Sequence, residues 1–161
     1  MPNWCYNKVT VTSKKEGALD KFEQRVNDPK GEYYYGMTTP DAPEGNRVFS
    51  LEKIIPYPNG VWDYDWSNRN WGTKWETTGP AGEIHPYTDF PLIMRDGNVL
   101  VYNFDTPWGP PTGIVKYLYK NLEDITGDPD ARMTWYYNEQ GMGESGHLTL
   151  NGDNLYNTEE A

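Results

Sequence analysis

The segment from 98 to 139 constrains this chain most, because it spells strand, helix and strand in direct succession. "GNVLVYNFD" alternates, with Val99 and Val101 opposing Leu100, Tyr102 and Phe104, after an Asp96-Gly97 turn signal. "TPWGPPTGIVKYLYKNLEDITGDP" then repeats Ile114, Leu118, Leu122 and Ile125 on one helical side. Pro110 and Pro111 suit its first turn, and Gly127 and Pro129 its end. "ARMTWYYNE" returns to strand. Two strands of one sheet joined by a helix require a right-handed crossover, which limits where the rest of the chain can go.

The first part of the chain predicts a second such unit. "CYNKVTVTS" places Val9 and Val11 on one face and Lys8, Thr10 and Thr12 on the other. Ser13 with Glu16 forms a capping box, and Ala18, Leu19, Phe22 and Val26 predict a helix over about 14–27. Residues 29–47, rich in Pro, Gly and Tyr, lack a period and predict an ordered surface excursion. "VFSLEKIIP" predicts an extended segment, and "GHLTLNG" a short strand in a hairpin with "ARMTWYYNE". The resulting order, strand–helix–strand–strand–helix–strand, predicts an α+β ferredoxin-like plait: an antiparallel sheet with both helices on one face. A single domain over 1–152 is expected, with an aromatic-rich insertion at about 57–97 between the middle strands and an acidic flexible tail at 153–161. The insertion is expected to cover the sheet face that the helices leave bare.

At 161 residues the chain fits one domain, which at that size buries about 70% of its unfolded surface. With 36% hydrophobic residues, and 15% Phe, Trp or Tyr, its core must be unusually aromatic. The net charge of −10 repels phosphate backbones and argues against duplex DNA as a partner. One cysteine, Cys5, excludes an internal disulfide and suits a reducing compartment. "MPNWCYNKV" lacks an apolar stretch of signal-peptide length, and no apolar run has membrane-spanning length, so a cytoplasmic, membrane-free protein is expected.

Four blocks, "MPNWC", "NWGTKW", "FDTPWGPP" and "YYNEQGMGESG", resemble in the same order the hallmarks of the YubB-type ferredoxin-like domain family of plasmid and phage proteins. The resemblance spans nearly the whole chain. It falls on Asn3, Trp4 and Cys5, on Asn70 through Trp75, on Phe104, Thr106, Trp108, Pro110 and Pro111, and on Glu139, Gly141, Gly143 and Gly146. It implies a small accessory protein of a mobile element, acting in the host cell, and no particular reaction.

The catalytic motifs fail their own tests. "GMGESG" matches G-x-G-x-x-G, but "HLTL" follows as a strand, where a dinucleotide site needs a helix N-terminus. The glycines therefore read as a hairpin with close backbone approach. Asp63 and Asp65 lack a third cation ligand in an EF-hand pattern, and His85 and His147 lack partners at zinc spacing. Pairing Cys5 with either histidine, or Glu139 with Asp105, has no support in spacing. No cofactor, metal or catalytic residue is expected.

Trp71 and Trp75 are predicted to share a face and to stack on Trp4, Trp108 or Trp135, mainly as core. Trp62 and Trp66, with Tyr33, Tyr34 and Tyr35, are the candidate partner-binding platform. Glu139 is expected as a charge-paired latch beside Asn70 and Lys74. The leading functional expectation is a non-catalytic protein that binds and modulates a host protein, such as a defence or nucleic-acid enzyme. The alternative is a nucleotide or other small-molecule binder, with bases on Trp71 and Trp75 and phosphates near Lys74 and Arg69. The residues put forward for either are Trp62, Trp66, Asn70, Trp71, Lys74, Trp75, Trp108 and Glu139.

Overall fold

In the computed structural model, which describes residues 3–31, 45–79 and 91–158, the alternation of the first strand sets the layering. β1 (Trp4–Thr12) buries Cys5, Asn7, Val9 and Val11 and turns Lys8 outward. It lies between β5 (Val99–Pro107) and β6 (Arg132–Glu139), antiparallel to both. Val9 stands opposite Tyr102 and Trp135, and Val11 opposite Leu100 and Met133, so the buried residues of three strands form one apolar face. β4 (Leu92–Asp96) extends the sheet beyond β5, and β7 (Glu144–Asn151) and β8 (Asn154–Thr158) extend it beyond β6. The order is β4-β5-β1-β6-β7-β8, all antiparallel. β2 (Asp28–Gly31) and β3 (Gly45–Arg47) pair separately.

Both long helices cover that apolar face. α1 (Ala18–Val26) sets Phe22 6.1 Å from the Tyr102 ring, and α4 (Thr112–Thr126) buries Ile114, Val115, Leu118 and Leu122 in the same core. Each such side chain contributes roughly 1.5–3 kcal/mol when fully buried. Phe49 joins the layers, stacked 4.7 Å from Phe104 and edge-on to Trp135 at 5.7 Å. Among the described residues, no helix is long and apolar enough to cross a membrane.

Four parts of the structure differ from the expectations above. The "VFSLEKIIP" segment is not a strand: residues 51–54 form the short helix α2 (Leu51–Ile54), and the sheet's edge is β4. Ser50 caps α2 locally, and the buried Glu76 carboxylate accepts from Leu51 N at 2.5 Å and Glu52 N at 3.1 Å, across a sequence gap that no local pattern shows. Ser13 does not cap α1, which begins at Ala18; its hydroxyl instead donates to Asp128 at 2.6 Å. Residues 154–158 are not a flexible tail but β8, with Leu155 opposite Leu150 and Asn157 Nδ2 donating to the Tyr137 hydroxyl at 2.7 Å.

The insertion departs from expectation as well. Trp71 is fully buried in the helix-side core with Tyr57, Phe49 and Ile114, so this part of the insertion thickens the helical layer. The opposite sheet face keeps Lys8, Thr134 and Thr149 exposed, and Tyr6, Tyr136 and His147 half-buried. The reason is steric as well as apolar. At Gly113 a Cβ would lie 2.8 Å from the Asn70 carbonyl carbon, and at Gly72, with φ +79°, 2.7 Å from Thr112 N. Two glycines thus bring the insertion's backbone against the first turn of α4, where Gly113 N donates to Trp71 O at 3.0 Å.

Candidate functional site

The four blocks singled out in the sequence meet at one end of the sheet, where β1 begins and β5 and β6 finish. Asn7 is the polar residue in the buried phase of β1, and it is fully satisfied. Its Nδ2 donates to Cys5 O at 3.1 Å and Thr106 Oγ1 at 2.9 Å, while its Oδ1 accepts from Trp135 Nε1 at 3.0 Å. Thr106 Oγ1 donates to Gly109 O at 2.6 Å, Thr73 Oγ1 to Pro107 O at 3.1 Å, and Trp108 N to Asn3 O at 2.7 Å. The loop after β5 is therefore fastened from three separate parts of the chain.

That fastening projects Trp108. Its φ is +69°, a left-handed backbone that an indole-bearing residue rarely adopts, and the residue is 46% exposed. Lys74 lays its ammonium 5.0 Å from the Trp108 ring centroid and 5.8 Å from that of Tyr64, itself half exposed. Lys74 is positioned by its carbonyl, which accepts from Trp62 Nε1 at 2.9 Å and Ser67 Oγ at 2.6 Å. α3 (Tyr64–Asn70) supplies Tyr64, and its start is fixed by Asp63, whose Oδ1 accepts from Trp66 N at 2.9 Å. Asp63 is thus a helix cap. Trp108, Lys74 and Tyr64 form a continuous aromatic and cationic surface, with exposed Val61 nearby in the chain.

The remaining candidates divide. Trp62 and Trp66 are half-buried and packed against the core, Trp66 lying 5.5 Å from Tyr57 and 5.8 Å from Trp71. Trp71, with its Nε1 donating to Ile55 O at 2.9 Å, is closed to a ligand, so the stacking site expected on Trp71 and Trp75 does not form. Trp75 does not share Trp71's surroundings either; it meets Trp4 edge-on at 6.1 Å. Asn70 is exposed and donates to Trp66 O, and Arg69 Nε donates to Asp65 O. Glu139 is buried, but its carboxylate accepts from Gly141 N at 3.0 Å and Met142 N at 2.6 Å. It latches the β6–β7 turn through main-chain amides and not through Lys74 or Asn70.

Cys5 faces the helices beside Glu139, whereas His147 lies on the opposite sheet face, so the two do not converge. Burial, then the nearby Glu139 and Asp105 charges, push the Cys5 thiol up to about 12. Such a thiol is a poor nucleophile. His85 and Tyr33, Tyr34 and Tyr35 lie outside the described residues. Tyr64 and Asn7 are candidate-site residues that the sequence motifs do not mark. Asn7 was detectable as an amide in the inward phase of an alternating strand, while nothing in "DYDW" marks Tyr64 for exposure.

Fold and surface together define an α+β protein with an aromatic, lysine-bearing surface at one end of an antiparallel sheet. Its fold is similar to that of the crystal structure of a protein api92 from Yersinia pseudotuberculosis, assigned to the family DUF1281. The TM-score is 0.58 at 13% sequence identity, over 100% of this chain and 99% of that one. No protein-family model and no curated protein matches the sequence.

Proposed function

We propose that the chain is a non-catalytic binding protein that docks on a partner protein through Trp108, Lys74 and Tyr64. The observation carrying this reading is Trp108: an indole held in a costly backbone conformation, and kept exposed by a hydrogen-bonded scaffold, is the kind of anchor that dominates protein interfaces. The net charge of −10 favours long-range encounter with a basic partner. The order β4-β5-β1-β6, with helices crossing from β1 to β4 and from β5 to β6, supports reading these four strands as a ferredoxin-like plait extended by β7 and β8. With the YubB-type resemblance of the four converging blocks, the setting proposed is the host cytoplasm, the carrier a phage or plasmid, and the target a host defence or nucleic-acid enzyme. Affinity capture from host lysate tests this with wild type and Trp108→Ala side by side. A partner retained at near stoichiometry by wild type and lost with the variant is the expected result; the same proteins on both would overturn it.

A further inference from the structure

β4 is the outer strand of the sheet, and its Leu92, Ile93 and Met94 are 41%, 40% and 61% exposed. Among the described residues no strand pairs with its outer side, and such an edge, with three adjacent exposed apolar residues, offers backbone groups to another chain. Between β4 and α1 runs a groove of about 480 Å³, lined by Asp20, Glu23, Asn27, Val48, Ile93 and Tyr102. Two polar atoms of these residues, the Tyr102 hydroxyl and Asn27 Oδ1, are buried and have no hydrogen-bond partner among the described residues. Tyr102 is fully buried, so its stranded hydroxyl destabilises the free protein unless something enters to meet it. The carboxylates of Asp20 and Glu23 add acceptors to the rim, where both already hold Arg95 Nη1. The groove is thus rich in acceptors and acidic at its edge, beside a strand ready for pairing.

We propose that this edge captures an extended peptide segment of a partner protein that carries an Arg or Lys between two apolar residues. The peptide backbone adds to β4 as a further strand. Its cationic side chain enters the groove, donating to the Tyr102 hydroxyl and Asn27 Oδ1, and shares the Asp20 and Glu23 carboxylates with Arg95. Its apolar neighbours, which point to the other sheet face, rest on Leu92 and Met94. This site lies along the part of β5 remote from Pro107, and the inference does not depend on the reading of the Trp108 surface.

A random seven-residue peptide library displayed on phage, panned on the immobilised full-length chain, supplies the test without presuming a sequence. Selected peptides are then titrated by fluorescence anisotropy. The expected selection is a cation flanked by apolar residues, with binding weakened at least tenfold by Ile93→Lys and by Glu in place of the peptide's cation. Tyr102→Phe is expected to raise the melting temperature while weakening the peptide, a combination that a purely structural tyrosine would not give. Trp108→Ala is expected to bind normally, which separates this site from the other surface. No enriched pattern, or selected peptides that bind wild type, Ile93→Lys and Tyr102→Phe equally, would overturn the proposal.

Discussion

The Lys74 ammonium rests 5.0 Å from the ring centroid of Trp108, the one tryptophan of seven in this chain that is exposed. A cation over an indole at an exposed site contributes about 0.5–1 kcal/mol, which is less than the cost of the left-handed backbone beneath it. The arrangement is thus not explained by stability alone.

Replacing Trp108 by Gly and by Ala separates the backbone from the ring. Both lose the indole, but only Gly relieves φ +69°. Thermal unfolding is expected to show Trp108→Gly more stable than Trp108→Ala by about 1 kcal/mol. Equal melting temperatures would place the strain elsewhere.

Gly113→Ala forces a methyl against the Asn70 carbonyl, where backbone cannot yield. Overpacking of this kind costs typically about 1–3 kcal/mol. Denaturant unfolding should show that loss, accompanied by increased fluorescence change near Trp71, whereas Gly143→Ala, with open space around it, is expected to pay only for its backbone conformation.

Glu139→Gln keeps the shape of the turn latch but substitutes an NH2 for one acceptor facing Gly141 N and Met142 N. One of the two partly buried hydrogen bonds to the carboxylate is lost, at a cost of about 1.5–3 kcal/mol. Hydrogen exchange at Gly141 and Met142 is expected to accelerate more than exchange in β1.

Asp128 titrates below the ordinary carboxylate range, first because the Ser13 hydroxyl donates to it, then because Asp130 N does. A carboxyl whose folded value is depressed stabilises the fold above its unfolded value and loses that contribution as pH falls through the lower, folded one. Ser13→Ala should therefore lower the melting temperature at neutral pH, and the difference from wild type should shrink below about pH 4.

Cys5 behaves oppositely. With its thiol raised to about 12, the fold disfavours the thiolate, so stability is intact below the unfolded value of about 8.5 and falls as pH climbs above it. A disulfide-exchange thiol reagent at neutral pH is expected to label Cys5 only at the rate of unfolding; rapid labelling of the native chain would show the thiol open to solvent.

The parts of this fold legible in the sequence are those where one buried face dictates spacing. β1, β5, β6 and α4 are such elements, and the hairpin of Gly141 and Gly143 follows from turn chemistry. Elements fixed by distant partners were not legible. α2 depends on Glu76, β8 on pairing with β7, and β4, exposed on both faces, carries no alternation to find. For the site, Trp108 and Lys74 were visible as residue types, but their pairing depends on the loop fastened by Asn3, Thr73 and Thr106.

The contact of main chain with main chain at Gly72 and Gly113 has a kinetic corollary. Because the tryptophan-bearing segment is bolted to the start of a long helix, the surface around Trp108 is preformed before any encounter. For the association proposed at this surface no induced ordering is needed, so its rate constant should respond to ionic strength and hardly at all to mild denaturant.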